Sequence, residues 1–457
     1  MFQRVKEAQE YLESFIRPTV FERVAEDSHL KDPLDRMRVL LHLLGDPQEK
    51  FRSVQVSGTS GKGSTTYLLA NILAKAGYKT GLATSPHLQR INERMQIGME
   101  EISDHDLLEL ITLLSRAVEK MKTLPEGEPS YFELLTALSF MHFANEKVDI
   151  AVVEVGLEGK YDATNVLSPL VVIVTNISKD HTELLGNTEA KIAQEALSIV
   201  RKGALGRSPV VVTGIDQPKL LAALRQKAKR VASPLKILGS DFKATHLQQT
   251  KTGMKFNFSD GSRSYDDLEV ILRGEYQVSN ASLALAAADA LQAYGFHITS
   301  TAVREGLATA FFPGRFEVRT YYGRTIILDG AHNKAKMGAF LKALSKYYPT
   351  QSTIFVIGFK KNKDIAPMLD NLFAKKAEHY ILTQFHKTGD YARSSSMTIE
   401  ELRKNVRKKD LSSNIDFEMT APDALQKAMS YNAELIVVTG SLYLVGEMRD
   451  ILMELEK

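Results

Sequence analysis

The chain has 457 residues, 44% hydrophobic and 25% charged, with a net charge of +3; this length implies two or three domains and apolar material for more than one core. A charge so near zero gives no bulk argument for a nucleic-acid or membrane partner. The absence of cysteine excludes disulfides, thiol nucleophiles and Cys-ligated metals. The N-terminal stretch MFQRVKEAQEYLESFIRPTVFERV is charged throughout and lacks the apolar core of a signal peptide. No window approaches the roughly 18–20 apolar residues of a membrane helix. A soluble cytoplasmic protein is expected.

In chain order, SVQVS (53–57) is a short β-branched run followed by the helical pattern STTYLLANILAKAG. Further apolar runs follow at TGLA (80–83), DIAVVEV (149–155), LVVIVTN (170–176) and PVVVTG (209–214). Buried strands alternating with helices predict a parallel sheet with helices on both faces. Between 235 and 275 the sequence alternates in period two and turns at Thr252-Gly253 and Asp260-Gly261, which predicts a small antiparallel extension. Past FFPGRFEV (311–318) the strand pattern restarts at TIILDG, TIFVIG, HYILTQ and ELIVVTG, with Pro313-Gly314 as a plausible hinge. The expected fold is α/β: a parallel-sheet domain with that antiparallel extension over 1–312, and a Rossmann-like α/β domain over 313–457.

Gly58-Thr59-Ser60-Gly61-Lys62-Gly63-Ser64-Thr65 sits between a predicted strand and a predicted helix. Glycines let backbone N–H groups converge on a phosphate, Lys62 adds a point charge, and the helix start adds its dipole. A hydroxyl of Ser64 or Thr65 can serve phosphate or magnesium. The bland alternative is a glycine-rich turn with an incidental lysine, and the strand-to-helix setting favours nucleotide binding over it.

The phosphate loop resembles that of the folylpolyglutamate synthase/dihydrofolate synthase family of Mur-type ligases. Its glycine spacing is shorter than the general pattern. ATSPHLQRINERMQIG, SYFELLTALSF, VVEVGLEGKYDATNV, DHTELLGNT, GEYQVSNASLALAA, PGRFE, DGAHN and TGSLYLVGEMR follow in family order. The resemblance implies that ATP phosphorylates a carboxylate and that the amine of L-glutamate then attacks the acyl phosphate, with folate or dihydropteroate as acceptor. It implies Ser85, Glu154 and His181 as magnesium ligands, Asn280, Arg315 and Asp329 as ATP contacts, and His332 near the reacting phosphate. Lys62, His181 and His332 are the catalytic candidates, and Phe132 and Asp162 the pterin-binding ones. Family precedent leans to a monomer.

Five have an ordinary alternative: a capping loop histidine for His181, a surface arginine for Arg315, a turn residue for Asp329, a solvated histidine for His332, core packing for Phe132. Three departures stand out. Ala196 occupies the place of a family lysine that is carbamylated and helps hold a second magnesium. Ser178-Lys179 replaces a glycine-leucine pair; Lys179 is a candidate to offset phosphate charge, with a solvated loop residue the blander reading. Glu158, Lys160 and Tyr161 replace glycine, arginine and leucine. Two other functions remain open at this stage: a Mur-type ligase acting on a non-folate carboxylate, and a nucleotide-binding homologue without catalysis.

Overall fold

A computed structural model of the chain describes residues 2, 4–16, 32, 34–156, 160–177, 195, 197–202, 206–361, 363–386, 395–407 and 414–456. It divides into two compact units, Met1–Ile271 with Glu275–Ala310, and Leu272–Gly274 with Phe311–Lys457. The expected boundary lay at 312/313. The observed division falls after Ala310, and a three-residue excursion of the chain groups with the second unit.

The first unit is built on β1 (Arg52–Ser57), β2 (Thr80–Ala83), β3 (Met95–Ile97), β4 (Glu100–Glu101), β5 (Ile150–Glu154), β6 (Val171–Val174), β7 (Val210–Thr213) and β8 (Leu235–Ile237). They form one sheet in the order β4-β3-β2-β5-β1-β6-β7-β8. The strands from β2 to β8 in that order run parallel, and β3 and β4 add an antiparallel edge. That edge was not foreseen: MQIG and MEE are short and polar, and carry no β-branched run. The central strands do, as befits strands covered on both faces.

Ala151 and Val153 of β5 join a core with Leu107, Leu110, Leu114, Leu134, Leu138 and their neighbours. The intervening Ile150 and Val152, also fully buried, point to the opposite face, where the helix Lys62–Lys75 packs on β5. The helix Asp104–Met121 is capped by Ser103, which accepts from the Asp106 amide. It buries Leu107, Leu110, Ile111, Leu114 and Val118, one stripe at helical spacing. The helix Tyr131–Asn145 buries nearly every residue. The period-two segment forms an antiparallel sheet of β9 (Lys243–Gln249), β10 (Met254–Ser259) and β11 (Ser264–Val270). Its inward positions on β10, Met254, Phe256 and Phe258, are buried and the intervening ones half-exposed.

The second unit is a six-stranded sheet of β12 (Glu317–Tyr321), β13 (Arg324–Leu328), β14 (Thr353–Ile357), β15 (His379–Thr383), β16 (Ile415–Glu418) and β17 (Leu435–Thr439), ordered β12-β13-β17-β14-β15-β16. All neighbours are parallel except β12 and β13. Among the described residues no helix is long and apolar enough to cross a membrane.

Candidate active site

Four adjacent parallel strands, β2, β5, β1 and β6, place their following residues at one sheet edge, the edge where open α/β sheets bind ligands. The register pairs Ala83 with Val153, Val56 with Glu154 and Ser57 with Val174. Residues 58–61, Ser85, Glu154 and Thr175 therefore share that edge.

Gly58 and Gly61 take φ of 125° and 85°, a region L side chains rarely enter. Space demands glycine too: a Cβ on Gly58 would lie 2.1 Å from Thr175 Oγ1, and one on Gly61 2.2 Å from Asn280 Oδ1. Lys62 Nζ donates to Gly58 O at 2.7 Å. The first intrahelical bond runs from Thr65 N to Gly61 O, so the amides of Lys62, Gly63 and Ser64 precede the ladder, as amides that bind phosphate at a helix start do. Thr65 Oγ1 and Ser60 Oγ are buried without a hydrogen-bond partner. Gly63 and Ser64 are buried beside them, and Thr59 donates its amide to Asn176 O. Asn280, 7% exposed, donates Nδ2 to Gln277 Oε1 at 2.8 Å, which leaves its oxygen over Gly61.

Glu154 ends β5 at 8% exposure, and its Oε2 accepts the backbone amide of Ser85 at 3.0 Å. These two magnesium candidates thus lie together. The third, His181, lies outside the described residues, as do Ser178, Lys179, Glu158 and Ala196. An oxygen donor set suits a hard cation, and the orphaned Thr65 hydroxyl offers a further oxygen in the first turn of the helix Lys62–Lys75.

Phe132 is half-buried at the start of its helix and packs on the core. A Cβ on Gly156 would lie 2.2 Å from its ring, so the glycine after β5 is what admits this phenyl group. Asp162, 4% exposed, caps the short helix Ala163–Val166: Oδ1 accepts from Thr164 N at 2.9 Å and Thr164 Oγ1 at 2.5 Å. That cap is a structural role which the ligand assignment did not anticipate. Lys160 and Tyr161 are exposed, with the ammonium 4.8 Å from the ring centre.

In the second unit, PGRFE and DGAHN interlock. Gly330 N donates to Gly314 O at 3.0 Å. Asp329, 5% exposed, accepts from Phe316 N on Oδ2 and from Ala331 N on Oδ1, both at 2.9 Å. Phe316 is a non-glycine residue at φ 48°, a conformation that costs about 1–2 kcal/mol, and the carboxylate helps hold it there. Burial pushes the Asp329 carboxyl up to about 6, against the opposing pull of Arg315 and these two amides. Arg315 is half-buried, with its guanidinium carbon 5.0 Å from the Phe312 ring centre. Glu317, 3% exposed, accepts from Gly314 N at 2.9 Å and pairs with Arg319 at 2.8 Å and Arg449 at 3.1 Å. His332 bridges Gly330 O at 2.7 Å and Lys336 Nζ at 3.0 Å. An ammonium only donates, so Nε2 accepts and Nδ1 carries the proton. Asp329 is thus a buried turn residue that accepts from Ala331 N, and His332 is half-buried with both ring nitrogens engaged.

Residues that sequence reasoning passed over include Thr175, Asn176 and Gln277, each tied to the phosphate loop or to Asn280. The available signal was Thr-Asn directly after the β-branched run VVIV, where a polar pair ends a central strand.

Residues 56–288 match the Mur ligase middle domain, and residues 316–452 match the dihydrofolate synthetase C-terminal domain. The chain is 31% identical to the dihydrofolate synthase/folylpolyglutamate synthase of Bacillus subtilis over 92% of this chain and 95% of that one. Folylpolyglutamate synthase of Mycobacterium tuberculosis, solved with ADP and AMPPCP, superposes with a TM-score of 0.86 at 28% identity, covering 98% of both chains. A structure described as an FPGS–AMPPCP–folate complex covers 99% of this chain and 100% of its own, with a TM-score of 0.80 at 29% identity.

Proposed function

This chain belongs to the folylpolyglutamate synthase/dihydrofolate synthase family of Mur-type ligases, and from that premise we propose that it joins L-glutamate to the carboxylate of a folate, of dihydropteroate, or of both. It is an ATP-dependent ligase. The observation that carries the reading is the Gly58–Thr65 loop, with two glycines in left-handed geometry and helix-start amides preceding the ladder, at the sheet edge that also carries Glu154.

In this mechanism the acceptor carboxylate takes the γ-phosphoryl group of ATP and ADP departs. The glutamate amine then attacks the acyl carbon, and phosphate leaves as the amide forms. The loop amides and Lys62 hold the phosphates and neutralise their charge. Ser85, Glu154 and His181 would hold Mg2+, which supplies further charge neutralisation on the phosphates when bound. Asn280, Arg315 and Asp329 are assigned to ATP, and His332 to the reacting phosphate, with its protonated Nδ1 directed to Gly330 O and Nε2 beside Lys336. Phe132 offers an aromatic face to the pterin; Asp162, one oxygen of which serves the cap, is the weaker of the two substrate assignments. A cytoplasmic monomer is the proposed setting, since ATP and L-glutamate are drawn from that pool.

The test is ADP formation with Mg2+, ATP and L-glutamate, offering dihydropteroate and tetrahydrofolate separately, with and without bicarbonate. Turnover with either acceptor supports the proposal, and independence from bicarbonate fits alanine at 196. No turnover with either, from protein that still binds ATP, would overturn it in favour of a non-folate carboxylate or a non-catalytic role.

A further inference from the structure

The phosphate loop is glycine-rich, and a glycine loop loses much conformational entropy when it is fixed, roughly 1–2 kcal/mol per residue. Something outside the loop must hold it if its amides are to converge before nucleotide arrives. The end of β6 supplies that hold. Thr175 N donates to Ser57 O at 2.9 Å, which extends the β1–β6 ladder one residue beyond the Ser57–Val174 pair. Asn176 then takes two successive loop amides: Thr59 N donates to its backbone oxygen at 2.9 Å, and Ser60 N to its side-chain Oδ1 at 2.9 Å. From the other side, Thr175 Oγ1 donates to Ser60 O at 2.7 Å, with Ser57 O a second, more distant acceptor at 3.2 Å. Ser60 is thus gripped at both its amide and its carbonyl.

We propose that Thr175 and Asn176 are positioning residues for ATP: a two-residue latch that sets the Gly58–Gly61 backbone and so aims the start of the following helix, with the amides of Gly63 and Ser64, at the phosphates. The inference rests on the reading of this loop as the ATP site. The latch divides the donors between two duties. The amides of Thr59 and Ser60 are engaged by Asn176, and the helix Lys62–Lys75 begins just beyond them, where its dipole favours anions. Close packing enforces it, because a Cβ on Gly58 would lie 2.1 Å from Thr175 Oγ1 and 2.8 Å from Asn176 O. The loop cannot shift towards β6 without collision, nor away without losing these bonds.

The experiment compares Thr175→Val, Thr175→Ser and Asn176→Ala with the unaltered protein, reading ADP affinity by calorimetry, the KM for ATP and for L-glutamate, kcat, and the melting temperature. Valine keeps the shape of threonine and removes the hydroxyl, whereas serine keeps the hydroxyl. The latch predicts that Thr175→Val and Asn176→Ala each weaken ADP binding and raise the KM for ATP about tenfold, the scale of one lost bond plus a stranded loop group. The KM for glutamate stays put, and Thr175→Ser binds like the unaltered protein. A purely structural role would instead lower the melting temperature of Thr175→Val and Thr175→Ser alike while leaving ADP affinity unchanged, which would overturn the latch. Should Asn176→Ala fail to fold, the valine–serine contrast at 175 still decides. Unaltered protein that binds no ADP would overturn the reading of the loop, and the latch with it.

Discussion

The side-chain oxygen of Asn280 occupies the space that a Cβ on Gly61 would need, 2.2 Å from where that carbon would lie. The helix Glu275–Gln292 therefore meets Gly61 at the Asn280 amide, whose orientation is set by Gln277, itself only 1% exposed.

Gly61→Ala faces two costs, a φ of 85° and the Asn280 oxygen. We expect ADP affinity to fall at least tenfold, the scale of about 1.4 kcal/mol or more. Asn280→Ala in the same chain should return part of it, so the double substitution is less than additive. Strict additivity in calorimetric titrations would contradict the contact.

Glu154→Gln keeps an oxygen to accept the Ser85 amide and removes a charge. The concentration of Mg2+ giving half-maximal turnover should rise about tenfold or more, with metal-free ADP binding little changed. An unchanged Mg2+ requirement would remove Glu154 from the metal site.

Asp329 gives a pH prediction. Its carboxyl ionises at about 6 in the folded chain, against an ordinary value of 3.8. Between those two values the folded state holds the proton more tightly than the unfolded state. The contribution of this group to stability is therefore complete below about 4 and is lost as pH rises to about 6, by at most about 3 kcal/mol. If ionised Asp329 serves ATP, kcat/KM for ATP should drop below pH 6, and Asp329→Asn should remove that limb. A profile unaltered by the substitution would sink the assignment.

Arg36 and Glu133 form a buried pair at 3.0 Å, their side chains 6% and 1% exposed, and Glu133 Oε2 also accepts from Ser130 N at 2.7 Å and Ser130 Oγ at 2.9 Å. Arg36→Met removes the buried counter-charge of that carboxylate and should cost about 3 kcal/mol in denaturant unfolding, with a higher KM for the folate acceptor because Phe132 sits on the same first turn. A loss under about 1 kcal/mol would contradict this.

Much of the sheet was legible because buried parallel strands read as short apolar runs, most of them rich in Val and Ile: β1, β2, β5, β6 and β7 all coincide with such runs, as do β13, β14, β15 and β17. β3, β4, β12 and β16 were passed over, being short or mixed in polarity, with registers set by neighbours, and β8, expected in the antiparallel extension, instead pairs in parallel with β7. The phosphate loop was legible because its chemistry is local. Asn176 was not, since its partner Ser60 lies 116 residues away, and Arg36 and Glu133 are 97 apart. A sequence displays a residue type, whereas such roles are created by pairing across the fold. Asp162 shows the reverse case: the pattern Asp-Ala-Thr-Asn carries a capping signal, and the structure uses it as one.

The central claim is that ATP is spent on activating a carboxylate for amide formation with glutamate. The most direct measurement supplies the acceptor, dihydropteroate or tetrahydrofolate, with its carboxylate enriched in a heavy oxygen isotope, and examines the released phosphate and the organic product by mass spectrometry. The account predicts one labelled oxygen in the phosphate and a product one glutamyl residue heavier than the acceptor. ADP released with unlabelled phosphate and unchanged acceptor would mean hydrolysis alone, and would contradict it.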